Sequence, residues 1–407
     1  MQRFLKDPKT INKFRSGLFG SCMPQVVDEL TQQRYSRYSI RKRLRAIHHF
    51  GCWLQRCDIA LNNVTLADVK RFLLHHGKIK EGDAQALRQL FDVLAEKGLI
   101  PRPPIPIKTE ADSIVEGFSE YLRRDRALAP STIEYYRTAT RQLLRYRFGD
   151  NRIDLTTLTA KSAINFISRE AARLRSMHPK NTATALKAFF RYLHYRGFVD
   201  RDLSDAVPSV AYRSLSNIPR GLSRDQANRV LAACDRRTAI GRRDYAILLL
   251  LARLGLRGGE IARLKLADID WAEGTISVPT KGGKYCTMPL PHDAGKAIVV
   301  YLRKDRPRTT CRRIFLRIPA PATGFEGHRA VSLIVKYALA RAGVQSASKG
   351  AHQFRHALGT EMLGNGASLS EIGELLRHRQ LKTTSIYAKV DFRALRPLAL
   401  PWPGGVK

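Results

Sequence analysis

The sequence predicts a multidomain, mainly α-helical protein that ends in a mixed α+β domain with a small antiparallel sheet. Three observations predict it. Two proline-bearing breaks divide the 407 residues into three parts. A helical pattern occurs twice before residue 212. In the last part, two alternating segments flank Lys281-Gly282-Gly283, within surroundings of helical periodicity.

The first break, Pro101-Arg102-Pro103-Pro104-Ile105-Pro106, cannot be helix and reads as a stiff extended connector. The second runs through Pro208 and then Ser214-Leu215-Ser216-Asn217-Ile218-Pro219-Arg220-Gly221. The expected domains are therefore 1–105, 106–212 and 213–407, the size range of independent folding units. The first two look like diverged copies of one helical module. Tyr38 to Ala46 parallels Ser131 to Ala139 at an offset of 93, and Val64 to Val69 with Phe72 parallels Leu158 to Ala163 with Phe166 at an offset of 94.

In the second copy, Ile133, Arg137, Leu143 and Leu144 fall in a helical pattern, with Ser131 or Thr132 as its expected cap. Asn181 to Tyr195 predicts another helix, with Leu186, Phe189, Phe190 and Leu193 on one stripe. Arg137, Arg141, Arg145 and Lys187 fall off these stripes, free to meet phosphates or simply water. In the third part, Arg224 to Cys234 and Asp244 to Leu254 read as helices. Thr275 to Val278 and Tyr285 to Met288 read as a hairpin, and helix resumes at His352. Thr383-Thr384 suits a helix N-cap just before Tyr387.

The formal net charge is +36, from 71 Lys+Arg against 35 Asp+Glu. With 44% hydrophobic residues the chain still folds, so the surplus decorates folded domains and calls for a polyanionic partner. Spread over the whole length, it favours nucleic acid over a local membrane patch. The six cysteines form no CxxC pair and have no histidines at zinc-site spacing. The charged N-terminus lacks the apolar core of a signal peptide, and Ala246 to Ala252, the longest apolar run, is too short for a bilayer. A cytoplasmic protein is expected, with no membrane partner.

The chemistry concentrates in Arg257 and in His352, Arg355, His356, His378 and Tyr387. A phosphodiester gathers negative charge as a pentavalent transition state forms. Two guanidiniums match its oxygens better than lysines, because each donates two parallel hydrogen bonds. Arg257 and Arg355 are the candidates. Tyr387 is the candidate nucleophile; a phenol with a pKa of roughly 10 needs a base or a strongly positive site. His352 or His378 could supply the first, the arginines the second. Lys281 is a mobile ammonium able to reach over a site, and equally an ordinary turn residue. Glu260 and Asp268 form no carboxylate cluster, so a lone acid here orients an arginine, and metal-dependent nuclease chemistry is disfavoured.

Five segments, in this order, carry a resemblance: Leu254-Gly255-Leu256-Arg257-Gly258-Gly259-Glu260-Ile261, Lys281-Gly282-Gly283-Lys284, His352-Gln353-Phe354-Arg355-His356, Leu375-Leu376-Arg377-His378 and Thr383-Thr384-Ser385-Ile386-Tyr387. Together they resemble the boxes of the tyrosine recombinase (phage integrase) family over residues 215–392. Residues 110–205 are similar to that family's helical, SAM-like core-binding domain. The resemblance implies two N-terminal SAM-like DNA-binding modules before a catalytic domain. It also implies roles: Arg257 and Arg355 clamp the scissile phosphate, Lys281 is the general acid, His352 assists proton transfer and His378 hydrogen-bonds the phosphate. Tyr387 forms a 3′-phosphotyrosyl link, later attacked by a 5′-hydroxyl. No cofactor, ATP or metal is implied.

The implied partner is double-stranded DNA, held by a homo-tetramer or by a mixed tetramer with sister recombinases. The apolar-rich segment Leu398 to Pro403 suits docking on a neighbour. Two departures stand out: Arg377 occupies a position that is often glycine in the family, and Cys286 one that is often arginine. The extra N-terminal module resembles mobile-element recombinases, so integration or transposition is the expected setting. The alternatives are an accessory DNA-binding protein of the same fold and a type IB-like topoisomerase.

Overall fold

A computed structural model describes residues 7–75, 82–100, 109–149, 151–173, 178–208, 221–279, 285–318, 320–346, 348–378 and 380–390. The first proline-bearing connector, residues 209–220 of the second, Lys281 and the segment from 391 onward lie outside them. The backbone divides into two compact units, Met1–Arg102 with Asn217–Lys407, and Pro103–Ser216.

The first unit opens with α1 (Pro8–Arg15), α2 (Met23–Gln32), α3 (Arg37–Arg56), α4 (Leu66–His75) and α5 (Asp83–Glu96). Their apolar faces meet around Phe50, Leu87, Leu90 and Leu94, each fully buried. The second unit contains α6 (Glu110–Arg124), α7 (Pro130–Phe148), α8 (Ala160–Arg173) and α9 (His178–Tyr195), with Phe118, Leu143, Phe189 and Phe190 at its centre.

The duplication expected from sequence is present in the order of elements. In each copy a long helix, α3 or α7, is followed by a 3-10 turn, at Leu61–Asn63 or Leu155–Thr157, and then by two helices. Ile40 and Ile133 are both buried, as are Phe72 and Phe166. Each copy closes on a left-handed glycine, Gly98 (φ 67°) and Gly197 (φ 69°), followed by a buried β-branched residue, Ile100 or Val199. A left-handed residue ends a helix by turning the chain back, and glycine adopts it without a Cβ clash.

Two details depart from expectation. Neither Ser131 nor Thr132 caps α7; the helix starts at Pro130, whose missing N–H is one that a first turn leaves unpaired anyway. Arg137 and Arg141 are also paired, Arg137 with Glu116 at 3.4 Å and Arg141 with Asp112 at 2.9 Å.

The rest of the first unit contains α10 (Arg224–Ala232), α11 (Ala239–Leu254) and α12 (Gly258–Arg263), then β1 (Ile269–Asp270), β2 (Thr275–Pro279) and β3 (Tyr285–Pro289). It continues with α13 (His292–Lys304), α14 (His328–Arg341), α15 (His352–Gly364), α16 (Leu369–Leu375) and α17 (Leu381–Thr384), and a final 3-10 turn at Tyr387–Val390. α11 is the central rod: Ala246 to Leu251 are all buried, so this stretch is apolar on every side. It starts five residues earlier than the apolar run indicates, because Thr238 caps it by accepting from the Gly241 N–H.

The three strands are antiparallel in the order β1-β2-β3, with Ile276 opposite Met288 and Val278 opposite Cys286. The hairpin was expected; the two-residue strand β1 was too short to announce itself. Thr383-Thr384 does not cap a helix before Tyr387. These threonines end α17 instead, and Thr384 is buried with its hydroxyl 2.7 Å from His378 Nδ1. Among the described residues, no helix is long and apolar enough to cross a membrane.

Phe189→Ala removes a fully buried ring packed on Phe118, Phe190 and Tyr192. It should destabilise the 103–216 unit by about 3–5 kcal/mol, read as a lower denaturant midpoint. Leu94→Ala should cost about 2–5 kcal/mol in the first module.

Candidate active site

The site is built on how two helices end. α11 stops at Gly255, whose φ of 54° is left-handed. A Cβ there would sit 2.7 Å from Leu376 Cδ2, so any other residue is strained by the left-handed turn and must displace the Leu376 side chain at the end of α16. The chain then buries Leu256 and starts α12, which places Arg257 at the helix entrance. Glu260, one turn on, accepts the Arg257 backbone N–H at 2.7 Å with one oxygen and Arg257 Nη1 at 2.7 Å with the other. Arg257 keeps 35% of its side chain exposed while Glu260 keeps 3%. The acid is therefore a buried bracket for a cation that faces outward.

α16 is opened by Ser368 and Glu371, which cap it reciprocally. It closes with the His378 N–H donating to the Gly373 carbonyl at 2.8 Å and the Arg377 N–H to the Glu374 carbonyl at 2.9 Å. That pair of bonds is a Schellman turn, whose left-handed position usually takes glycine. Here Arg377 occupies it with φ 55°, a conformation that costs an ordinary residue roughly 1–2 kcal/mol.

Arg355, on the first turn of α15, is buried and ties the two endings together. Its Nη1 donates to the Gly255 carbonyl at 2.6 Å and its Nη2 to the Leu376 carbonyl. Burial first, then Arg257 and Arg377, push its pKa down to about 9, so it stays cationic at neutral pH. Tyr387 is 1% exposed, and its hydroxyl donates to the Arg355 carbonyl at 3.4 Å. Burial raises the phenol to about 12, opposed by Arg355. Its ring lies over Gly359, where a Cβ would come within 2.5 Å of the ring, and stacks on His378 with centroids 6.5 Å apart.

The imidazoles are held neutral. His378 is pushed down to about 4 by burial and then by Arg355, Arg257 and Arg377. His352 is open to solvent by area, yet desolvation by its neighbours leads in lowering its pKa, followed by Arg355 and Arg257. Cations that surround an imidazole penalise its protonated form.

The structure thus brings Arg257, His352, Arg355, His378 and Tyr387 into one site, while Lys281 lies outside the described residues. It gives three further side chains a place in the site. His356, rather than His352 or His378, is the imidazole recorded within reach of the phenol, with Nδ1 3.3 Å from the Tyr387 hydroxyl. The signal was its i, i+4 spacing from His352 on α15. Thr384 orients His378. Arg377 joins Glu260 at 3.4 Å. Among the described residues, no group of three or more His, Cys, Asp or Glu is placed to hold a metal ion.

Residues 220–394 match the phage integrase family, and residues 115–197 match the phage integrase N-terminal SAM-like domain. The integrase/recombinase y4rA of Sinorhizobium fredii is 44% identical over 379 residues, which cover 92% of each chain.

This chain belongs to the phage integrase family.

The tyrosine recombinase XerC of Oceanobacillus iheyensis is 28% identical over 69% of this tyrosine recombinase and 94% of its own length. Two solved structures show the same fold. The XerH site-specific recombinase bound to palindromic difH substrate is 17% identical, with a TM-score of 0.57 over 73% of this chain and 98% of that one. A lambda integrase dimer bound to a COC′ core site is 17% identical, with a TM-score of 0.52 over 68% and 94%.

Gly359→Ala should displace Tyr387 and lower the melting temperature. Stability should also fall with acid. His378 has a folded pKa of about 4, below the unfolded value of about 6.5. The unfolded chain therefore binds the extra proton between these values, and stability is lost as pH drops through that window. His378→Gln should flatten that part of a pH–melting curve, with His352 and His356 contributing the remainder.

Proposed function

We propose that this tyrosine recombinase cleaves and rejoins double-stranded DNA through a 3′-phosphotyrosyl bond on Tyr387. The observation that carries the reading is the convergence of Arg355, His356 and His378 on the Tyr387 ring and hydroxyl, with Arg257 bracketed by Glu260 beside them. Arg257 and Arg355 hold the non-bridging oxygens and stabilise the charge that builds on the phosphorane. To do so Arg355 exchanges the carbonyls it now holds for phosphate oxygens. Tyr387 must lose its proton as it attacks. His356 is placed to receive it, and an approaching phosphate held by two guanidiniums offsets the burial that raises the phenol. His378 donates a hydrogen bond as a neutral imidazole, and His352 assists proton transfer. Lys281 protonates the leaving 5′-oxygen. The bond energy is kept in the phosphotyrosine, so a 5′-hydroxyl of another strand reverses the step and joins it.

Residues 106–212 grip the duplex around the cleavage point, residues 1–105 extend the grip as a second module of the same build, and residues 213–407 cleave. The surplus of 36 positive charges supports contact with many phosphates. Four protomers, alike or mixed with sister recombinases, bring two DNA segments together for integration or transposition.

The test is adduct formation on DNA from the gene's own neighbourhood, carrying a nick or a bridging phosphorothiolate, without magnesium. Tyr387→Phe should abolish the covalent adduct while leaving binding intact. Arg257→Ala and Arg355→Ala should each slow its formation by about 10²–10³-fold. Adduct formation by Tyr387→Phe at the rate of the unaltered protein would refute the assignment. Affinity should fall steeply with salt, by roughly 0.9 log units per log unit for each phosphate neutralised.

A further inference from the structure

Arg377 has no role in the chemistry assigned above, yet it is built into the centre of the site. Its side chain is 3% exposed. Nη1 donates to the Leu375 carbonyl at 3.0 Å, the Leu254 carbonyl at 3.3 Å and Met288 Sδ at 3.4 Å. Nη2 donates to Glu260 Oε2 and to the Gly255 carbonyl, both at 3.4 Å. One guanidinium thus touches the end of α11, the start of α12, β3 and the end of α16. Its own carbonyl accepts from Arg257 Nη2 at 3.4 Å. Glu260 is therefore shared: the Arg257 guanidinium holds Oε1, and Arg377 approaches Oε2, which also accepts the Arg257 backbone N–H.

The sharing has an electrostatic consequence. A lone buried carboxylate beside Arg257 would neutralise much of the charge that Arg257 presents to a phosphate, because buried ion pairs are weakly screened. Three guanidiniums around one carboxylate leave two positive charges uncompensated. A phosphodiester carries one negative charge, and the phosphorane formed from it by a phenolate carries two. We infer that Arg377 is a positioning residue that balances Glu260 from the side away from the phosphate, leaving both Arg257 and Arg355 free to stabilise the transition state. This accounts for a long, charged side chain in a left-handed turn where glycine would be unstrained. It also defines Glu260 as the relay: Arg377 touches no reacting atom and acts through the carboxylate.

The inference rests on the cleavage reading, and the experiment separates the two. Single-turnover adduct formation on the nicked DNA is measured for the unaltered protein, Arg377→Met, Arg377→Gly, Arg377→Lys and Glu260→Gln, and for Arg377→Met combined with Glu260→Gln. Arg377→Met and Arg377→Gly should slow cleavage by about tenfold, less than loss of a direct donor, with DNA affinity changed less than about twofold since one phosphate contact fewer has not been created. Arg377→Lys should recover most of the rate. In the Glu260→Gln background, where no carboxylate needs balancing, Arg377→Met should have little further effect. Equal losses in both backgrounds, or full activity in Arg377→Gly, would overturn the inference. So would failure of Arg377→Lys to restore a rate that Arg377→Met loses. Arg377→Gly relieves the left-handed turn, so its rate also separates a folding defect from a charge effect. Absence of an adduct with the unaltered protein would instead defeat the cleavage reading.

Discussion

Everything in the site hangs on the Gly255 carbonyl and the turn that presents it. Arg355 and Arg377 both donate to that oxygen, and the turn beside it delivers Arg257. The left-handed backbone there favours glycine, and a Cβ would push on the Leu376 side chain. The helix that ends at this point is buried on every side over Ala246 to Leu251, which anchors the turn in the core. Charge is thereby placed at the end of a buried helix. The arrangement concentrates three guanidiniums where mutual repulsion opposes them, and one buried carboxylate with several backbone carbonyls offsets it.

The same crowding sets the protonation of the other groups. Imidazoles among guanidiniums stay neutral, and a buried phenol stays protonated. In this state Tyr387 is quiet. Its hydroxyl is spent on the Arg355 carbonyl, and Arg355 is spent on carbonyls of its own. In the proposed reaction, a phosphate held by the Arg355 guanidinium takes the place of the Gly255 and Leu376 carbonyls.

Much of this was legible in the sequence, for identifiable reasons. Long helices announce themselves, α9 by its periodicity and α11 by its apolar run, and Gly255 by its place after that run. The duplicated modules could be aligned because Ile40 with Ile133 and Phe72 with Phe166 fill equivalent core positions. What escaped was decided by contacts between distant segments. No local pattern indicates that Thr383-Thr384 ends a short helix, with Thr384 turned toward His378; the spacing of His356 from His352 marks it on one face of α15 but not its reach to the phenol. Arg377 was visible as a departure from glycine, but its meaning required seeing Glu260, 117 positions away, beside it.

The most direct measurement is mass-spectrometric mapping of the residue that carries DNA after trapping on the nicked duplex and digestion of both polymers. The account predicts a nucleotide on the peptide containing Tyr387, attached through its phenolic oxygen by a 3′-phosphate. A nucleotide on any other side chain, or a 5′-phosphate linkage on Tyr387, would contradict it.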